Sequence, residues 1–137
     1  MYFSDYKLGD SFSVAPDADL YMVNEYESSS EYYLRSFYSE GADLPFAVAM
    51  VSSLGEIGLL GNIITGNAKE FYTLLVVFCA EAFAFAGTPA LYTGFDPNER
   101  DTRWKRFLGM QVTEEQWPEH TERGLVTHQF PLTNWVR

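Results

Sequence analysis

Few side chains in this sequence have the types and spacing that nucleophilic or metal chemistry requires. Cys79 is the single cysteine among 137 residues, so an internal disulfide and a cysteine-based zinc site are both excluded. It lies inside an apolar run, where a cysteine is typical of a small core residue and not of a nucleophile. His120 and His128, the two histidines, lack metal-ligand spacing, and no Ser/His/Asp or Cys/His arrangement is visible.

A glycine-containing loop that opens a long apolar helix could hold an anion. The loop runs Thr65-Gly66-Asn67-Ala68, and its glycine would let the backbone approach closely. Backbone N–H groups at a helix N-terminus point at such an anion, and the helix dipole favours it. The alternative, which the sequence favours, is an ordinary helix start with Asn67 as the cap, because no Arg or Lys precedes Lys69 in the loop.

Composition indicates a single domain over residues 1–137. Hydrophobic residues make up 47% and aromatic residues 17%, which is ample material for a core. The net charge of -10 makes the chain a poor nucleic-acid binder, because phosphate neutralisation needs clustered Lys and Arg. A basic partner or a cationic substrate would suit this charge, although solubility alone would also explain it.

The sequence gives no indication of a membrane or secreted protein. The first ten residues, MYFSDYKLGD, lack a basic region followed by an apolar one, so we expect no signal peptide. The apolar run from Phe71 to Ala86 is short for a membrane span and contains Glu81, which predicts a buried helix. We therefore expect a cytoplasmic protein, or one assembled in a cytoplasm.

The stretch from Thr88 to Met110 predicts a strand, a turn, a short helix and another extended run. Residues 89–95 suit a half-buried strand, and Asp96-Pro97-Asn98 suits a turn. In the following helix the apolar face comprises Trp104, Phe107 and Leu108, and Lys105 lies on the opposite, solvated face. Gly109 ends the helix, since a left-handed cap costs glycine nothing.

The remaining pattern predicts an α+β domain in three layers. Helices are predicted over residues 18–27, from Ser30 through Phe37, and over 68–86 with Gly87 as its C-terminal cap. Residues 45–51 and 56–60 predict strands joined in an antiparallel hairpin. A charged loop is predicted over residues 113–123, and a last strand over 124–132 with Val126, His128 and Phe130 on one face.

The strand–turn–helix module resembles the second half of the GNAT acetyltransferase fold. The resemblance rests on Asn98 and on Leu108-Gly109-Met110 after the short helix. It implies a mixed, mostly antiparallel sheet flanked by helices on both faces, with acetyl-CoA as the acyl donor if the protein is active. The implied cofactor-binding residues are Thr65, Gly66, Asn67, Ala68 and Asn98.

The same resemblance implies two catalytic residues. Glu56 on the central strand would be the general base, and Lys105 stands where such enzymes often carry a tyrosine that protonates the leaving thiolate. The first position of the pyrophosphate loop is Ile63, where the family pattern has Gln or Arg. An active enzyme of this kind would present an acidic groove to an amine or cationic substrate.

A narrower resemblance is to acetyltransferase-like proteins of short-tailed bacteriophages, of the internal virion protein A type. It rests on residues 55–62, GEIGLLGN, followed by the long helix and the module around Asn98. It implies a catalytically degenerate protein that acts through contacts with other virion or host proteins, in the host cytoplasm or the virion. The competing hypotheses are an active N-acetyltransferase and a small binding module unrelated to GNAT.

Overall fold

Two antiparallel sheets form the framework of the protein. The computed structural model describes residues 8–26, 29–61, 67–98 and 103–131. The first sheet has the strand order β1-β2-β3-β4-β5 and the second the order β6-β8-β7. The strands are β1 (Ser11–Phe12), β2 (Leu20–Val23), β3 (Tyr32–Ser39), β4 (Ala47–Ser52), β5 (Ile57–Gly61), β6 (Ala90–Phe95), β7 (Gln111–Val112) and β8 (Val126–Pro131). The helices are α1 (Ala68–Ala86), α2 (Arg103–Leu108) and α3 (Pro118–Glu122).

The two helices predicted before residue 38 are wrong, because this part of the chain forms strands β2 and β3. Burial alternates along β2, with Leu20 and Met22 buried and the residues between and after them half-buried. In β3 the alternation includes a charged residue, since Arg35 is buried between Tyr33 and Phe37. The period-2 pattern was therefore hidden by an arginine that points into the protein.

Arg35 can be buried because α1 carries its partner. Its Nη2 lies 3.2 Å from Oε2 of Glu81, and its Nη1 donates to Oδ1 of Asn24 at 2.9 Å. The hydroxyl of Tyr33 donates to the same Glu81 oxygen. This polar cluster links β3 to the middle of the long helix inside an otherwise apolar interface.

Helix α1 covers one face of the first sheet and has the predicted bounds. Its buried positions recur at helical spacing and are Phe71, Leu74, Leu75, Phe78, Cys79, Glu81, Ala82 and Phe83. They pack against the inward residues of the strands, among them Met22, Phe37 and Ala49. Gly87 ends the helix at φ +65°, and its N–H donates to the carbonyl of Phe83 at 2.9 Å. No helix among the described residues has the length and apolar character needed to cross a membrane.

Helices lie on both sides of the strands, as predicted, but the segment predicted as a loop over residues 113–123 contains one of them. Pro118 stands at the start of α3, where a missing N–H costs nothing. Tyr92 of β6 lies on the face of the second sheet opposite to α1, and its ring contacts Trp117 with centroids 4.9 Å apart. Leu91, the neighbouring residue of β6, belongs to the core formed with α1, and successive strand residues point to opposite faces, so α1 and α3 lie on opposite sides.

Among the described residues the two sheets meet at one parallel bridge between the strands that border the gap. Glu56 bridges Tyr92, and the N–H of Tyr92 donates to the carbonyl of Gly55 at 2.8 Å. Beyond this bridge β5 pairs only with β4, and β6 pairs only with β8, among the described residues. Strands β5 and β6 therefore diverge from a shared starting point and leave an opening between them.

Candidate functional site

The opening between β5 and β6 is a cleft of about 430 Å³. Its walls come from both diverging strands, from β3 and β4, from α2 and from the loop after α3. The described lining residues are Tyr32, Met50, Ser52, Glu56, Ile57, Gly58, Leu59, Leu60, Thr93, Gly94, Trp104, Lys105, Arg123 and Leu125. A cleft at the point where two paired strands separate can admit a ligand between the strand edges.

Glu56 contributes a carboxylate to this cleft and is held by a histidine from another part of the chain. Its Oε2 lies 2.7 Å from Nε2 of His120, whose side chain is 1% exposed, whereas the Glu56 side chain is 43% exposed. The backbone N–H of Glu56 donates to Oγ of Ser52 at 3.1 Å. One carboxylate oxygen is thus fixed inside the protein while the side chain still reaches solvent.

The second nitrogen of His120 is also occupied, which defines a chain of hydrogen bonds. Nδ1 of His120 lies 2.8 Å from Oγ1 of Thr127, and the same oxygen accepts the N–H of Trp117 at 2.9 Å. Because Oγ1 already accepts this hydrogen, its own hydrogen can be donated to Nδ1 of the imidazole. In that tautomer Nε2–H donates to Oε2 of Glu56, and the carboxylate is the acceptor at the end of the chain.

The Glu56–His120–Thr127 chain resembles a hydrolase triad in composition but cannot act as one. A nucleophilic hydroxyl must reach its substrate, and Thr127 is 0% exposed. Its Oγ1 is also committed to Trp117 and His120. The solvent-accessible member is Glu56, so the chain is suited to proton transfer by a carboxylate and not to covalent catalysis.

Tight packing holds the imidazole of His120 in one orientation. The ring stacks on Trp117 with an interplanar angle of 7° and centroids 5.2 Å apart. On the strand side the ring lies against Gly94, where a Cβ would come within 2.7 Å of its Cδ2. The ring therefore fits only because residue 94 lacks a side chain.

The cleft also presents an unpaired strand edge. The N–H of Ser52 donates to the carbonyl of Glu56, so these two residues form a hydrogen-bonded pair of the β4–β5 ladder. Such pairs alternate along an antiparallel ladder, so the N–H and C=O of Leu59 point away from β4 and toward the cleft. A linear ligand that carries amides could pair with this edge as a short additional strand.

Lys105 lies in the cleft wall and not on the solvated face of α2 where the sequence placed it. Lys105 is 7% exposed, and its Nζ lies 4.0 Å from the centroid of the Phe95 ring. Trp104 beside it is 6% exposed, whereas Phe107, predicted on the apolar face, is 49% exposed. The buried face of the helix therefore includes Lys105 in place of Phe107, and the ring of Phe95 gives the buried ammonium group a cation–π contact.

The charge of the cleft differs from the acidic groove expected from the sequence. Among the described lining residues there is one carboxylate, Glu56, and there are two cations, Lys105 and Arg123. The net charge of -10 therefore reflects other parts of the surface. No group of three or more potential metal ligands is present in the described ranges.

The predicted cofactor-binding residues fall into three groups. Thr65 and Gly66 lie outside the described residues. Asn67 and Ala68 stand at the start of α1, where the Asn67 side chain makes no capping hydrogen bond. Asn98 is exposed in a turn, with its N–H donating to Oδ1 of Asp96 at 2.8 Å, and does not line the cleft.

Glu56 was named as a candidate from the sequence, and the structure places it in the cleft, whereas His120 was not named. The two residues are 64 positions apart, and a contact of that separation leaves no local pattern. The available signal was Pro118 after Trp117, which is typical of a helix start and would have placed His120 on a helix. Even that signal would not have revealed which carboxylate the imidazole faces.

Comparison with solved structures identifies the architecture. A Vibrio cholerae protein, provisionally assigned as a ribosomal-protein-serine acetyltransferase, superposes with a TM-score of 0.52 at 8% sequence identity, over 74% of this chain and 65% of its own. The fold is that of the GNAT acetyltransferases. The Campylobacter jejuni N-acetyltransferase PseH superposes with a TM-score of 0.49 at 13% identity, over 75% of this chain and 70% of its own.

The structure confirms the GNAT-like fold that was predicted from Asn98 and Leu108-Gly109-Met110, although no overall sequence similarity accompanies it. No protein-family model matches the sequence, and no curated protein is similar to it in sequence. The chain spans slightly less than two thirds of the length of the Vibrio protein. A GNAT fold is consistent with an acetyltransferase, while activity has to be argued from the cleft itself.

Proposed function

We propose that the protein transfers an acyl group from an acyl-coenzyme A thioester to an amine. The observation that carries the proposal is the divergence of β5 and β6 directly after the Glu56–Tyr92 bridge, which places a carboxylate at the closed end of the cleft. The thioester would supply the activated acyl group. The chain itself would supply the binding edge, the base and the positive charge.

The cleft has features that fit the donor. The pantetheine arm of coenzyme A is linear and contains amides, which suits the free backbone edge of Leu59. Strands β5 and β6 run parallel at their bridge, so their C-terminal ends lie at one edge, where α1 begins with Asn67. An anionic group of the donor at that edge would meet backbone N–H groups of the helix start.

Glu56 would remove the proton from the attacking amine. As nitrogen bonds to the acyl carbon, the carbon–sulfur bond breaks and the amine proton passes to the carboxylate. Oε1 of Glu56 has no hydrogen-bond partner among the described residues, whereas Oε2 is held by His120. Lys105 lines the cleft and would place positive charge near the leaving thiolate.

A titration of acetyl-CoA into the purified protein tests the donor site, and the Leu59→Pro variant tests the strand edge. Proline removes the one N–H in question, and an edge strand tolerates it better than a central strand does. We expect affinity to fall at least tenfold, since a hydrogen bond of about 1.4 kcal/mol corresponds to that factor. Leu59→Ala keeps the N–H and should bind nearly as well as the wild type. If the wild type does not bind acetyl-CoA, the proposed acyl transfer is wrong.

In a second proposal the protein has the GNAT fold but no catalytic activity. In it the protein is of the phage type and acts through protein contacts in virion assembly or host takeover, in the cytoplasm or the particle. It is supported by the buried side chains of Trp104 and Lys105 in the cleft wall and by Ile63 in place of Gln or Arg. This proposal expects no acetyl-CoA binding at millimolar ligand and recovery of the protein with assembled particles, and micromolar binding would exclude it.

A further inference from the structure

The cleft wall on the side of Glu56 is largely apolar. The register pairs Met50 with Gly58 and Val48 with Leu60, and side chains of paired residues project from the same face. Glu56, two positions before Gly58, projects from that face as well. Tyr32 and Leu60 are 45% and 70% exposed there, and both line the cleft. An amine that approaches Glu56 from this face therefore meets aromatic and aliphatic side chains.

Gly58 leaves room for an apolar group beside the carboxylate. A Cβ placed on Gly58 would meet no atom within 4 Å, and this glycine lines the cleft opposite Met50. Leu125 closes the wall from the loop that follows α3. The space next to Glu56 thus suits a compact hydrophobic group.

Arg123 adds a cationic residue to the lining of this space. The carbonyl of His120 accepts the backbone N–H of Arg123 at 3.1 Å and that of Leu125 at 2.8 Å, while its ring holds Glu56. Arg123 is exposed and lines the cleft, and its guanidinium forms neither an ion pair nor a hydrogen bond with the described residues. A carboxylate, a cationic residue and an apolar wall therefore border the same opening.

We propose that the acceptor is an α-amino acid with an apolar side chain. Its amine would lie at Glu56, its carboxylate at Arg123, and its side chain against Tyr32, Met50 and Leu60. A polyamine would bring additional positive charge toward Arg123 and Lys105, which disfavours it. This inference deepens the proposed acyl transfer by naming its acceptor, and it concerns a binding preference that exists without the donor.

Calorimetric titration without acyl donor tests the preference directly. The probes are L-phenylalanine, phenethylamine, which lacks the carboxylate, and spermidine. We expect L-phenylalanine to bind at least tenfold more tightly than phenethylamine, because a charge-assisted hydrogen bond to Arg123 is lost in the amine. Spermidine should bind more weakly than either.

Two variants show whether Arg123 is responsible for the preference. Arg123→Gln should reduce the difference between L-phenylalanine and phenethylamine to less than threefold. Arg106→Gln, an exposed arginine of α2 outside the cleft lining, should preserve it. Tighter binding of spermidine, no binding of L-phenylalanine, or an unchanged ratio in Arg123→Gln would overturn the proposal. Failure of acetyl-CoA to bind is a separate result, which bears on the acyl transfer and not on this preference.

Discussion

Gly94 and His120 share one space, because the imidazole lies where the side chain of any other residue at position 94 would begin. A Cβ there would be 2.7 Å from Cδ2 and 3.0 Å from Cγ of the ring. The contact ties β6 to the residue that orients Glu56. A change in the strand should therefore alter the geometry of the carboxylate.

The Gly94→Ala variant tests this coupling. Overpacking a buried ring should lower the free energy of unfolding by about 1–3 kcal/mol, and displacement of His120 should reduce acyl transfer. Gly58→Ala is the matched stability control, since a Cβ at Gly58 meets open space. Urea unfolding of both variants and rate measurements on Gly94→Ala check the prediction. Equal stability of the two variants would show that the ring moves without cost.

Glu56→Gln should separate binding from chemistry. Glutamine can still accept a hydrogen bond from His120 but cannot take the proton of the amine, so we expect turnover to fall by about 10²–10⁴-fold. Acetyl-CoA affinity should remain that of the wild type. Glu114→Gln, an exposed acid outside the cleft lining, is the control. Retained turnover in Glu56→Gln would assign the base to another group.

Glu81 should give stability a dependence on pH. Burial raises the pKa of this carboxyl above its ordinary value of 4.5, and the Tyr33 hydroxyl and Arg35 oppose that rise. The folded protein then keeps a proton that the unfolded chain has lost, so this contribution to stability is full below the unfolded pKa and is lost as pH rises through the raised value.

Urea unfolding of the wild type and of Glu81→Gln at several pH values measures this dependence. We expect the free energy of unfolding of the wild type, relative to the variant, to fall as the pH rises above the ordinary carboxyl pKa of 4.5. A relative stability that rises over this range would mean that Arg35 dominates and lowers the pKa instead.

Cys79 should be chemically inert in the folded protein. Burial raises the pKa of its thiol to about 12, and the residue is 0% exposed in the core under α1. A thiol reagent at pH 8 should therefore label the native protein only at the rate of unfolding. Labelling in urea should be complete and provides the control, whereas fast labelling under native conditions would show that α1 opens locally.

The elements that the sequence predicted correctly are those with local signals. Helix α1 has apolar residues at helical spacing and Gly87 at its end, and β4 and β5 are apolar runs separated by a short turn. Strand β3 was misassigned because Arg35 broke the alternation, and the partner that permits its burial, Glu81, lies 46 residues later. The periodicity of nearby residues does not indicate an ion pair between residues so far apart in the sequence.

The candidate site was predictable only in part for the same reason. Glu56 could be named as a candidate from the resemblance to the GNAT fold, but its contact with His120 depends on how α3 docks on the second sheet. Lys105 was placed on the wrong side of α2, since its ammonium group is accommodated by Phe95. Both contacts join residues of different secondary-structure elements, which come together only in the tertiary structure.

The single bridge between the sheets also bears on how the protein folds. The first sheet pairs its strands in chain order through short turns, so it can form from local contacts. The bridge between Glu56 and Tyr92 closes a long loop that contains the whole of α1. Closing this loop costs conformational entropy, and a single bridge among the described residues offsets that cost. The cleft should therefore be the last feature to assemble during folding and the first to be lost on heating, before the strands on either side of it.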